Sequence, residues 1–166
     1  MYNRVVIAYD GTREGRMALR EGLLVAHHFG SELYVLAVVL ESPGIRMAEG
    51  AHAGVMAHQD EAYRAILDEA VQGLRDYGFK VKGKLLRGEP APCIGAYARE
   101  IKADLVVVGH RKQGFLQRWW SGPSGAYVSD LVDCSILVAR NFVSEERVRE
   151  VLESPRNQAA PPSSRA

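Results

Sequence analysis

Val5-Val6-Ile7-Ala8-Tyr9-Asp10-Gly11-Thr12 is the stretch on which the fold reading turns: five strand-forming residues followed at once by a carboxylate, a glycine and a hydroxyl. A run that is apolar at consecutive positions fits a strand buried on both faces, as a parallel sheet covered by helices requires. Leu33 to Leu40 and Leu105 to Gly109 share that character, so all three are expected at the centre of a sheet. Phe79-Lys80-Val81-Lys82-Gly83-Lys84-Leu85-Leu86 instead alternates charged and apolar positions, the pattern of a half-exposed strand at a sheet edge. Ser135 to Ala139 supplies a fifth strand.

Segments of helical period lie between these runs, the alternation expected of an α/β domain with helices on both faces of one sheet. Thr12 can cap a first helix carrying Met17, Leu19, Leu23 and Ala26 and stopping near Gly30. The second has the clearest period, with Tyr63, Ile66, Leu67, Ala70, Val71, Leu74 and Tyr77 on one stripe ahead of Gly78. A third starts around Pro90 and Pro92 and places Ile94, Tyr97, Ala98 and Ile101 at three- and four-residue spacing. A fourth is expected from about Ser124 to Asp133, with Val128, Leu131 and Val132 toward the sheet.

Two stretches lack this order. Ser42 to Val55 mixes glycine, proline, alanine and His52 without a period and reads as a long mobile loop. After Asn141 a short amphipathic helix is expected, with Ser144 as cap and Val148, Val151 and Leu152 as its apolar face; beyond Pro155 the sequence has nothing to bury and reads as a disordered tail. The expected organisation is one α/β domain over residues 1–141, then a helix and tail over 142–166.

Composition narrows the function classes. A chain of 166 residues with 47% hydrophobic and 25% charged residues has the proportions of one soluble globular domain. Lysine plus arginine number 21 against 20 acidic residues, so the positive field that recruits nucleic acid or an anionic membrane is missing. The apolar runs are far shorter than the ~20 residues a bilayer span needs. Met1-Tyr2-Asn3-Arg4 leads straight into Val5, which leaves no room for a secretory leader, and a cytoplasmic protein is expected. Cys93 and Cys134 sit on different elements without paired ligand spacing and read as two reduced, buried thiols.

If the strands form a parallel sheet in the order 3-2-1-4-5, ligands bind beyond the carboxyl ends of strands one and four, where the order reverses and the adjoining loops diverge. Those ends are Tyr9-Asp10-Gly11-Thr12 and Gly109-His110-Arg111-Lys112. Asp10 has two readings of equal weight, a carboxylate accepting from ribose hydroxyls or joining a metal's shell, and a turn or cap residue beside Gly11. Gly109 lets a ligand approach the backbone, and His110, Arg111 and Lys112 place donors and positive charge just beyond it; a solvated loop has the same composition. Ser121-Gly122-Pro123-Ser124-Gly125 leads into the fourth helix, whose free N–H groups suit an anion.

In order along the chain, four pieces resemble the universal stress protein family over roughly residues 2–140. They are the opening Val5 to Thr12, the Arg87-Gly88-Glu89-Pro90 turn, Ala103-Asp104-Leu105-Val106-Val107-Val108-Gly109, and the strand Cys134-Ser135-Ile136-Leu137-Val138. The resemblance implies a single-domain open parallel five-stranded sheet of order 3-2-1-4-5, a homodimer through the last strand Ser135 to Ala139, and in one branch ATP or AMP held by a pattern G-x2-G-x9-G-[ST], with Mg2+ only together with ATP. Gly109 matches the first glycine and Gly122 the third, while Lys112 stands at the second glycine and Pro123 at the serine or threonine. Lysine crowds a backbone meant to fold around phosphate but offers a point charge, and Pro123 removes an N–H and a hydroxyl that Ser124 still carries. A register using Gly114 and Gly125 restores glycines but breaks the spacing. Carried over residue by residue, the adenine and ribose side falls on Ala8, Tyr9, Asp10 and Val38 and the phosphate side on Gly109, Arg111, Lys112, Gly122 and Ser124, with Val108, His110 and Pro123 also among the expected nucleotide-binding residues.

The sequence lacks the reagents of an enzyme. No paired carboxylates share an expected loop, Ser121 and Ser124 have no evident base, and the Walker spacing is absent, which leaves at most slow, incidental ATP hydrolysis. A phospho-acceptor receiver needs a carboxylate after the third strand, where Leu86 and Arg87 stand. His27, His28, His52 and His58 lack supporting ligands for a metal. Trp119 and Trp120 fit a cover over the phosphate loop, a partner surface, or ordinary packing. Two function classes stay open: a nucleotide-responsive regulatory protein, and a dimeric interaction module that binds no nucleotide.

Overall fold

The computed structural model describes residues 1–40, 53–110 and 128–154. In chain order these form β1 (Arg4–Ala8), α1 (Arg13–Phe29), β2 (Glu32–Leu40), α2 (Ala53–Asp76), β3 (Val81–Gly88), α3 (Pro90–Glu100), β4 (Leu105–Gly109), α4 (Val128–Leu131), β5 (Ser135–Ala139) and α5 (Glu145–Glu153). The strands make one sheet in the order β3-β2-β1-β4-β5, parallel throughout, so the three continuously apolar runs are the inner strands. The alternating run lies at one edge, where solvent takes its lysines.

Successive strand residues face opposite sides of the sheet, which divides the core in two. Val5, Ile7, Leu33, Val35, Leu105 and Val107 pack on one side with Ala18, Leu23 and Ala26 of α1 and Leu67, Ala70, Val71 and Leu74 of α2. Val6, Ala8, Leu36, Val38, Val106 and Val108 pack on the other with Ala91, Ile94, Tyr97 and Ala98 of α3 and Val128 of α4. Each fully buried valine or isoleucine contributes about 1.5–3 kcal/mol, so both layers are needed.

α1 begins where Thr12 Oγ1 accepts from the Gly15 N–H at 3.1 Å and ends at Gly30. α5 is capped by Ser144, whose hydroxyl accepts from the Arg147 N–H at 3.2 Å, and it packs on α1 through Val148, 3% exposed. Arg20 of α1 ties it down by donating to Val143 O at 2.8 Å and to Glu145 Oε1 at 2.7 Å.

Several boundaries differ from the sequence expectations; β1 is Arg4–Ala8, one residue earlier than expected, and α4 ends at Leu131 and not at Asp133. α2 starts at Ala53, taking in the last residues of the expected loop; Ala53 and Ala57 favour helix by propensity where no apolar stripe announces it. Tyr77 falls beyond α2 and is 46% exposed, so the buried stripe stops at Leu74. β3 runs two residues later than expected, set by its register of Leu33 with Val81 through Leu40 with Gly88. The expected loop at 42–52, the start of the fourth helix at 124–127 and the expected tail lie outside the described residues.

Candidate functional site

The β1–β4 register runs from Val5 with Leu105 to Ile7 with Val107. Past that point the Tyr9 N–H donates to Leu36 O at 2.9 Å on β2, while the His110 N–H donates to Ala139 O at 2.9 Å on β5. Each strand follows its outer neighbour, so β1 and β4 part at their carboxyl ends, and the order of the sheet reverses at that same place. Ala8, Val38 and Val108, each 2–3% exposed, share the α3 side of the sheet there. There they close the core against α3 and α4.

Asp10 serves α1 as the turn reading expected. Its Oδ1 accepts from the Thr12 N–H at 3.0 Å and from Thr12 Oγ1 at 2.5 Å, and a Cβ on Gly15 would come within 2.6 Å of it. Among the described residues no donor reaches Asp10 Oδ2, which leaves one oxygen for a ribose hydroxyl or a metal's shell. Gly11 makes the turn possible with a φ of +75°, which a side chain strains.

The Tyr9 side chain turns to the opposite, α1–α2 side, where it is 8% exposed beside Ile7 and Val5. Burial pushes its hydroxyl pKa up against the opposing charge of Arg16, with Glu69 and Asp10 adding to the rise. Only its backbone borders the crevice. The ring instead lines a separate cavity of about 270 Å³ with Arg16, Glu69, Leu74 and Val148.

Gly109 has a packing reason to lack a side chain. A Cβ there would stand 2.3 Å from Glu14 O and 2.5 Å from Glu14 C, inside the first turn of α1. His110 follows, and its Nε2 accepts from Arg140, the residue after β5. The sequence reading missed Arg140; the signal was its place directly after Ala139, which pairs with Gly109. Arg111, Lys112, Gly114, Trp119, Trp120, Ser121, Gly122, Pro123, Ser124 and Gly125 lie outside the described residues. Among the described residues no three histidine, cysteine or acidic side chains gather as a metal would need. His27 and His28 pack edge-on against Phe79 and Phe29.

An open, fully parallel α/β sheet with a crevice at its switch point is the architecture this chain defines. The model of the universal stress protein family matches residues 1–140. Universal stress protein MJ0531 of Methanocaldococcus jannaschii is 28% identical over 141 residues, covering 84% of this chain and 83% of that protein. Among solved structures, a universal stress protein in complex with cAMP superposes with a TM-score of 0.60 at 22% identity, over 82% of this chain and 95% of its own. The universal stress protein from Archaeoglobus fulgidus in complex with dAMP gives 0.59 at 20% identity, over 84% and 98%. The chain belongs to the universal stress protein family.

Proposed function

We propose that this protein binds an adenine nucleotide, ATP or AMP, between the β1 and β4 loops and acts as a regulatory protein of the stress response. The observation that carries the reading is the parting of β1 and β4 at their carboxyl ends, where the order of the sheet reverses. Open α/β sheets bind ligands at that point, and Asp10 Oδ2 suits the ribose. The solved relatives that carry cAMP and dAMP support the same ligand class. The base lies against Ala8 and Val38 beside the Tyr9 and Asp10 backbone, and the phosphates run past Val108, Gly109 and His110 toward Arg111, Lys112, Gly122, Pro123 and Ser124. Mg2+ enters only with ATP.

Hydrolysis of a bound ATP is at most slow and incidental. The protein works in the cytoplasm, away from nucleic acid and membrane; among the described residues no helix is long and apolar enough to cross a bilayer. A second reading, a dimeric interaction module without nucleotide, is favoured by β5, a sheet edge with Ile136, Leu137 and Val138 partly exposed. Thermal unfolding with ATP, AMP and magnesium separates the two. Ligand at 100 times its Kd adds about 2.7 kcal/mol, a rise in Tm of roughly 5–10 °C for a chain of this size. An unmoved Tm at millimolar nucleotide discards the first reading and favours the second.

A further inference from the structure

We propose that Arg140 is a phosphate contact of the nucleotide crevice, reaching it from β5 rather than from the glycine-bearing loop. The assignment rests on the nucleotide reading above and adds to it the residue that distinguishes a nucleotide from a nucleoside. Two backbone features bring Arg140 to the crevice independently of its side chain: Gly109 is in register with Ala139, and the His110 N–H donates to Ala139 O at 2.9 Å. Gly109 is turned toward α1, where a Cβ would meet Glu14, and Ala139 belongs to the same side of the core. By the two-residue alternation of strands, His110 and Arg140 emerge on the other side, the one that carries Ala8, Val38 and Val108.

The spacing fits the ligand. Neighbouring strands are ~4.8 Å apart, so β5 lies about 10 Å from β1 across the sheet and about 15 Å from β2. A nucleotide held at the carboxyl ends of β1 and β2 with its ribose lying across β4 would have its phosphate within reach of β5.

The charge fits as well. Arg20, Arg87 and Arg147 pair with carboxylates, on Glu145, Asp60 and Glu150, while Arg4, Arg16, Arg75 and Arg99 donate to backbone carbonyls. Among the described residues Arg140 has no carboxylate partner, and its contact is the ring nitrogen Nε2 of His110, which accepts one N–H. The guanidinium keeps its other N–H groups for an anion, in the planar fork that suits phosphate oxygens.

The test measures AMP and adenosine affinities by calorimetry for the wild type, Arg140→Gln and Arg140→Lys, with each variant's Tm recorded to verify folding. The wild type is expected to bind AMP at least 10-fold more tightly than adenosine, a preference that Arg140→Gln loses and Arg140→Lys largely keeps. Arg140→Gln retaining the full AMP preference overturns the assignment alone, as does a wild type that binds both ligands equally. A wild type that binds neither overturns the nucleotide reading and this assignment with it.

Discussion

Gly109→Ala isolates the contact between β4 and the first turn of α1. The new methyl would lie 2.3 Å from Glu14 O and 2.5 Å from Glu14 C. Carbon and oxygen in ordinary contact stand more than 3 Å apart, so about 1 Å of movement is required. Both opposing atoms are backbone, in a turn pinned by Thr12 Oγ1 on Gly15 and by Asp10 on Thr12, and a rotamer change cannot relieve them. Overpacking of this kind costs about 1–3 kcal/mol. For a domain of this size that corresponds to a fall in Tm of roughly 2–12 °C. The assay is urea unfolding without nucleotide, where the midpoint should fall and the slope m stay constant. A midpoint equal to the wild type's would refute the packing argument and return Gly109 to a purely ligand-driven role.

Other substitutions test the remaining parts of the frame. Gly73→Ala, in exposed α2 with nothing near the added methyl, should stabilise by about 0.5–1 kcal/mol and raise Tm by some 1–4 °C in the same urea and thermal assays. Val148→Ala should cost roughly 1–2 kcal/mol if α5 is integral to the α1 side of the core, and an unchanged midpoint would make α5 dispensable. Asp104 joins β4 to β1 by accepting from the Asn3 and Arg4 N–H groups, both at 2.8 Å, and the bond from Arg4 leads in holding its pKa below the usual carboxylate value. A depressed folded pKa gives stability that is present above the unfolded value of about 3.9 and fades as pH falls through the lower folded one. Asp104→Asn should therefore be less stable by about 1 kcal/mol at neutral pH, a figure moderated by solvent screening, with the gap closing below pH 4; a gap constant down to pH 2 contradicts the linkage.

What could be read from the sequence follows from where one physical cause dominated. Val5 to Ala8, Leu33 to Leu40 and Leu105 to Val108 are apolar at every position, and only burial on both faces accounts for that, so their central places were legible. Thr12, Gly30 and Ser144 marked helix ends because capping is local chemistry. The start of α2 was hidden, since the alanines before His58 carry helix propensity but Gly54 opposes it and the stretch has no period. The orientation of Tyr9 was hidden for a different reason. An apolar run buried on both faces does not say which residue faces which layer, and only the packing of Val5 and Ile7 against α1 and α2 resolves it. Arg140 escaped notice because its neighbour His110 is 30 positions away in the chain and meets it only through the β4–β5 register.

The residues of the crevice answer to two demands at once. Asp10 holds the Thr12 turn with one oxygen while the other meets no donor among the described residues, and Gly109 is small because α1 passes over it, whether or not a phosphate approaches from the opposite side. Their presence in a sequence therefore marks a chain that folds this way before it marks one that binds. The same coupling explains how a member of this fold can keep the Asp10 and Gly109 positions while the loop between them and α4 changes, as Lys112 and Pro123 do here. Removing Asp10 or Gly109 displaces the first turn of α1, so lost binding in either variant would not separate a ligand contact from a damaged wall. Arg140 and Val38 touch no part of that turn in the register of the sheet. Substitutions there leave α1 in place, and they are the ones from which a ligand can be inferred.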